Sequence, residues 1–192
     1  MKIGMPTLIE LESLEENVQL CKALNLDFLE INMNFPQFQL DKLDANVLNK
    51  LKEEYGIFFT FHLAEDIDVG HMNKNIRNTY VGEALNILTF MKSIESKILN
   101  MHMSKGIYVT LPAEKVFIYE KYEEEFLSHI QTFSNRISEV IGDDDQTVFI
   151  ENTGIGNIQY IRKAISQLLL NSNFKLTRSE ERRVGKECRY RW

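Results

Sequence analysis

The sequence predicts an α/β fold of the (β/α)8 TIM-barrel type, incomplete, with about five and a half βα units present. Three observations carry this reading. Strand-like and helix-like patterns alternate from Lys2 to Thr177, as a parallel sheet with crossover helices requires. Polar residues gather at the C-terminal ends of the second to fifth strand patterns, all on one face, which is where a barrel assembles its active site. The competing architecture, an open doubly wound sheet, binds ligands at a glycine-rich phosphate turn. The only candidate for such a turn, Gly154-Ile155-Gly156, lacks the third glycine of that fingerprint and reads as an ordinary tight turn.

Each element has a local reason. Lys2 to Met5 opens as a strand, and Ser13-Leu14-Glu15-Glu16 is a capping box that starts a helix running to Leu24. Leu14, Val18, Cys21 and Leu24 share its apolar face. Asp27 to Asn32 is a second strand, with Leu29 and Ile31 on one face and Glu30 and Asn32 on the other. Asp44 to Glu54 forms a helix on Val47, Leu48 and Leu51, and Ile57 to Leu63 a third strand. An acidic, solvated loop from Glu65 to Gly70 precedes a long helix from Asn73 to Ser96, with Ile76, Tyr80, Leu85, Leu88 and Met91 facing inward.

Ile98 to Met103 is the fourth strand, and its alternation is informative. Leu99, Met101 and Met103 suit packing against helices, while Ile98, Asn100 and His102 form a face that grows polar toward the C-terminal end. The third strand behaves alike, with Phe59, Phe61 and Leu63 opposite Phe58, Thr60 and His62. A long loop leads to a helix from Tyr119 to Ile141, where Phe126, Ile130, Phe133, Ile137 and Ile141 recur at helical spacing and Gly142 caps the end. Thr147 to Glu151 is the fifth strand, Asn157 to Leu170 a helix, and Phe174 to Thr177 the start of a sixth strand that is expected not to be completed.

From Arg178 to Trp192 the chain has no apolar period and holds the only tryptophan. The string resembles the translated start of a sequencing-library adapter and is read as a non-native tail. Residues 1–177 are then one partial barrel domain, against roughly 250 residues for a whole barrel. The full chain carries −6; the tail's six basic and three acidic residues contribute +3, leaving −9 on the remainder. So acidic a body disfavours nucleic acid as a partner. No apolar run approaches membrane-spanning length, and Lys2-Ile3-Gly4-Met5-Pro6 lacks the pattern of a secretory leader. Two isolated cysteines, Cys21 and Cys188, provide no disulfide framework. A cytoplasmic protein without a membrane partner is expected, its oligomeric state left open.

His62, His102 and Glu151 end the third, fourth and fifth strands and are expected to converge on one mouth as metal ligands. Imidazole with carboxylate suits Zn²⁺, Mn²⁺ or another divalent transition ion rather than Ca²⁺, and the expected cofactor is a divalent metal, Mn²⁺, Zn²⁺ or Mg²⁺. His71, in the third βα-loop, and His129, on a surface helix, are read as non-functional, and Lys105 as a solvent-facing lysine.

Met1-Lys2-Ile3-Gly4, Phe61-His62-Leu63, Asn100-Met101-His102 and Phe149-Ile150-Glu151-Asn152 resemble the xylose isomerase-like TIM-barrel superfamily, which includes sugar phosphate isomerases and epimerases and endonuclease IV relatives. The resemblance spans residues 1–177. It implies that Glu151 is the fifth-strand glutamate that binds a divalent metal and takes part in catalysis. His62 and His102 match histidines that ligate metal in the endonuclease-like branch and lie beside the substrate in sugar-acting branches. The superfamily's further ligands from later strands, an aspartate, a histidine and a second glutamate, have no counterpart here. The implied parent protein is a metal-dependent isomerase or epimerase of carbohydrate metabolism acting on a small sugar or sugar phosphate. The alternatives are an endonuclease IV-like phosphodiesterase and a fragment that performs no chemistry.

Overall fold

The computed structural model describes residues 1–178. Eight strands and six α-helices follow in chain order: β1 (Gly4–Pro6), α1 (Leu14–Ala23), β2 (Phe28–Asn32), α2 (Ala45–Tyr55), β3 (Phe58–His62), α3 (Lys74–Ser93), β4 (Ile98–Met101), β5 (Tyr108–Thr110), β6 (Lys115–Phe117), α4 (Ile118–Lys121), α5 (Glu123–Ile141), β7 (Thr147–Glu151), α6 (Gln159–Leu168) and β8 (Phe174–Thr177). Among the described residues, β1, β2, β3, β4, β7 and β8 form one parallel sheet in that spatial order. Strand order equals chain order, so there is no switch point of the kind that defines a doubly wound sheet. Among the described residues, six barrel strands are present and β1 and β8 are the two edges of the sheet.

Local chemistry explains most boundaries. Ser13 Oγ accepts the Glu16 amide and Glu16 Oε2 accepts the Ser13 amide, which completes the capping box of α1. Asp44 and Asn73 cap α2 and α3, and Gly142 ends α5 at φ +59° with its amide on the Ser138 carbonyl. The helix-facing strand residues Leu29, Ile31, Phe59, Phe61, Leu99, Met101, Val148 and Ile150 are buried, as is the whole predicted stripe of α5.

Several expectations differ from what is observed. Leu24, Val47 and Ile76 are exposed. On α1 the buried position goes instead to Asn17, whose side chain accepts the Leu8 amide at 2.8 Å and donates to the Ser13 carbonyl. The segment read as a long loop after the fourth strand contains the antiparallel hairpin β5–β6. Its signal was present in Tyr108-Val109-Thr110 and Lys115-Val116-Phe117 around Pro112. The sixth strand does form over its four residues, in register with β7. Phe174 packs edge-on to Phe133, while Leu176, on the same face, is 55% exposed because no helix follows β8 among the described residues. The tail reading falls on residues 179–192, outside the described residues, apart from Arg178.

Candidate metal centre

The parallel register sets the level of each strand end. His62 closes β3 opposite Asn100, Met101 of β4 pairs with Ile150, and Glu151 closes β7 beside Thr177. His102, one residue past β4, therefore arrives level with Glu151. All three predicted residues are brought together: their ligand atoms lie within 4.8 Å of one another. His62 Nε2 and His102 Nε2 each stand 3.2 Å from the same atom, Glu151 Oε2. The two rings meet edge to face, their centroids 4.8 Å apart.

Hydrogen bonding decides what this cluster can accept. His62 Nδ1 lies 2.8 Å from the Leu63 carbonyl. A carbonyl can only accept, so Nδ1 carries the proton, and in the neutral ring Nε2 presents its lone pair to the carboxylate. This is the arrangement by which a backbone carbonyl orients a metal-binding imidazole. His102 Nε2 is buried and, although close to Glu151, lacks the direction of a hydrogen bond and has no hydrogen-bond partner. Burial pushes the Glu151 carboxyl up, and hydrogen bonds and positive charge from the His62 and His102 imidazoles, when these carry a proton on the facing nitrogen, push it down, for a net lowering from the ordinary carboxylate value. An ionised carboxylate faced by two imidazole nitrogens, one of them orphaned, could hold a divalent cation.

The cluster opens onto a cavity of about 500 Å³ on the inner face of the sheet. On that same face, Asn100 Nδ2 donates to Glu30 Oε2, and Asn100 Oδ1 accepts from Thr177 Oγ1 at 3.1 Å. Asn32, by contrast, spends its side-chain oxygen on Asn34. His71 accepts the Asn73 amide in its own loop, and His129 packs near the Gly70 carbonyl. Neither lines the cavity, and Lys105 is exposed outside it. The acidic loop is only partly solvated, because Asp68 is half-buried, accepting from the Tyr119 hydroxyl and the Gly70 amide. That latch between the third and fourth βα-loops was not anticipated. Its partners lie 51 residues apart, and nothing local to either signals the other.

No family model and no curated protein matches the sequence. Solved structures do match in fold. A D-tagatose 3-epimerase-like protein aligns with TM-score 0.67 at 16% identity, covering 92% of this chain and 64% of that one. A 3-keto-D-glucoside 4-epimerase from E. coli aligns with TM-score 0.67 at 14% identity, covering 93% and 68%. An AP endonuclease of family 2 from Brucella melitensis aligns with TM-score 0.61 at 12% identity, covering 92% and 67%. These likenesses show the fold, an incomplete TIM barrel. The chain spans less than two thirds of the epimerase-like protein's length.

Proposed function

We propose that the parent protein is a metal-dependent isomerase or epimerase of a small sugar or sugar phosphate, working in the cytoplasm, and that His62, His102 and Glu151 hold its divalent ion. The observation that carries the proposal is the meeting of two imidazole nitrogens on one carboxylate oxygen at the C-terminal mouth. When bound, Mn²⁺, Zn²⁺ or Mg²⁺ supplies Lewis-acid polarisation of adjacent carbonyl and hydroxyl oxygens. His62, its Nδ1 held on the Leu63 carbonyl, would offer Nε2 as a ligand to that ion. Glu151 stays ionised, contributes charge to the ion and is the group placed to exchange a proton with bound sugar. The 3-keto-D-glucoside 4-epimerase and the D-tagatose 3-epimerase-like protein of the same fold support a carbohydrate substrate. The present chain is proposed to be a partial site, since the resemblance places further ligands on later strands.

A phosphodiesterase reading draws on the same two histidines and on the AP endonuclease likeness. It is disfavoured because Glu30, Glu65 and Glu151 line the cavity with Arg178 as the sole lysine or arginine among its described lining residues, whereas backbone phosphates call for clustered basic groups. The test is to titrate Mn²⁺ and Zn²⁺ into the protein, then to incubate the chain extended by its native downstream sequence with neutral sugars, sugar phosphates and abasic DNA. Metal-dependent epimer formation seen by NMR supports the proposal. Cleavage of the DNA without turnover of any sugar would replace it with the second reading.

A further inference from the structure

Polar contacts cross the inner face of the sheet by skipping a strand. Asn100 on β4 donates its Nδ2 over β3 to Glu30 Oε2 on β2, and its Oδ1 accepts over β7 from Thr177 Oγ1 on β8. His62 on β3 meets Glu151 on β7 in the same way over β4, Nε2 to Oε2 at 3.2 Å. Strands two apart in a flat sheet stand about 9.6 Å from each other, with side chains roughly perpendicular to it. A contact that skips a strand therefore requires inward curvature, the bend of a closing barrel.

These contacts differ in whether they hold themselves. Asn100 gives a donor to a carboxylate and an acceptor to a hydroxyl, and both bonds are complete. His62 keeps its proton on Nδ1 against the Leu63 carbonyl, so in the neutral ring the Nε2 lone pair faces the Glu151 oxygen. Two acceptors do not draw each other in unless a proton or a cation lies between them, so the approach is imposed from outside the pair. Asn100 is placed to impose it. It is the register partner of His62, and Thr177 is the register partner of Glu151. Its two bonds bend the sheet on either side of β4, over the strands that carry the two ligands, and at 9% exposure the side chain is fixed by its surroundings.

We propose that Asn100 is a positioning residue, its side-chain amide setting the sheet curvature that brings His62 and Glu151 together before any ion binds. This rests on the metal reading above and extends it to a residue that touches neither ion nor substrate in that role.

The test uses the full chain. In the metal-free protein the approach is read as the nuclear Overhauser effect between the His62 ring protons and the Glu151 side-chain methylenes, and Mn²⁺ affinity is then measured by electron paramagnetic resonance. Asn100→Leu, similar in size and without either bond, should abolish the Overhauser contact and weaken Mn²⁺ about tenfold, the low end for losing a ligand's support. Thr177→Val removes one bond, and should weaken the contact and cost about threefold in Mn²⁺ affinity. Thr177→Ser should restore both, so misfolding of Asn100→Leu leaves the answer intact. Ile137→Val, in the buried stripe of α5 and away from the cavity, loosens packing without touching the inner face and should change neither reading. An undiminished Overhauser contact in Asn100→Leu or Thr177→Val overturns the proposal, as does an equal loss in Ile137→Val, the result for a merely structural role. If wild type binds no Mn²⁺, the metal reading falls alone, because the metal-free comparison still decides whether Asn100 brings the two side chains together.

Discussion

The two ends of β4 and β7 handle charge in opposite ways. At the N-terminal rim Lys97 meets Asp145 and Lys92 meets Asp144, cation against anion in exposed pairs. At the C-terminal mouth two imidazole nitrogens meet one carboxylate oxygen, and with His62 Nδ1 bound to the Leu63 carbonyl, acceptor faces acceptor. The lower rim is neutralised by its own side chains. The mouth is balanced only when a cation or a proton sits between its groups, which is why it reads as a site and the rim as scaffold.

The largest expected effect separates these ends directly. Glu151→Gln should lower Mn²⁺ or Zn²⁺ affinity by more than about 100-fold, beyond the loss usual for an outer partner of a ligand, measured by isothermal titration. At pH 8 and without metal, the same variant should melt no lower than wild type, because the new amide can donate to an imidazole nitrogen that faced an acceptor. Retained metal affinity, or a clear loss of metal-free stability, would mean that the mouth is an ordinary structural cluster.

Support of the mouth loops comes next in size. Gly106 follows β4 with φ +66°, and a Cβ there would come within 2.6 Å of the Tyr119 ring. Gly106→Ala should cost about 2 kcal/mol in urea unfolding, from left-handed strain and the clash together. Gly82, inside α3 with open space around it, offers the reverse. Gly82→Ala should stabilise by about 0.5–1 kcal/mol. Equal effects from the two would break the contrast between mouth loop and helix layer.

His129 tests whether a partly buried histidine away from the mouth behaves differently. Burial, and then the nearby Arg77, push its value down, and Glu125 at 3.8 Å does not reverse this. A depressed value means that the unfolded chain binds the proton more readily, so the stability contribution is whole above about 6.5 and is lost as pH falls through the folded value. The melting temperature should fall between pH 7 and 5, His129→Gln should flatten that fall, and added Mn²⁺ should leave the His129 contribution unchanged. A pH profile insensitive to His129→Gln would assign the fall elsewhere.

Smaller still is the lower rim. Lys97→Ala should scarcely move the melting temperature, with any difference erased by salt, since exposed ion pairs are screened and entropically costly. A loss that persists in 1 M salt would make that rim part of the core. Removing residues 179–192 should leave the helical circular-dichroism signal as it was, because the string has no apolar period; a cooperative loss of signal would make it part of the domain.

The sequence by itself determined what short-range geometry controls. Alternation in β3, β4 and β7 told the inner face from the outer, Ser13 with Glu16 set the start of α1, and the 3.6-residue stripe of α5 named its buried face. It also placed His62, His102 and Glu151 at strand ends, since a strand's end and its side-chain parity are read locally. Tertiary structure alone decided the rest. Leu24 is exposed and Asn17 buried because the neighbouring loop offers an amide to Asn17. Asp68 is half-buried because Tyr119 of α4 reaches it. His62 and Glu151 are 89 residues apart, and their 3.2 Å approach follows from the register of β3, β4 and β7. Register is fixed by packing across the whole sheet, so no window of sequence contains it.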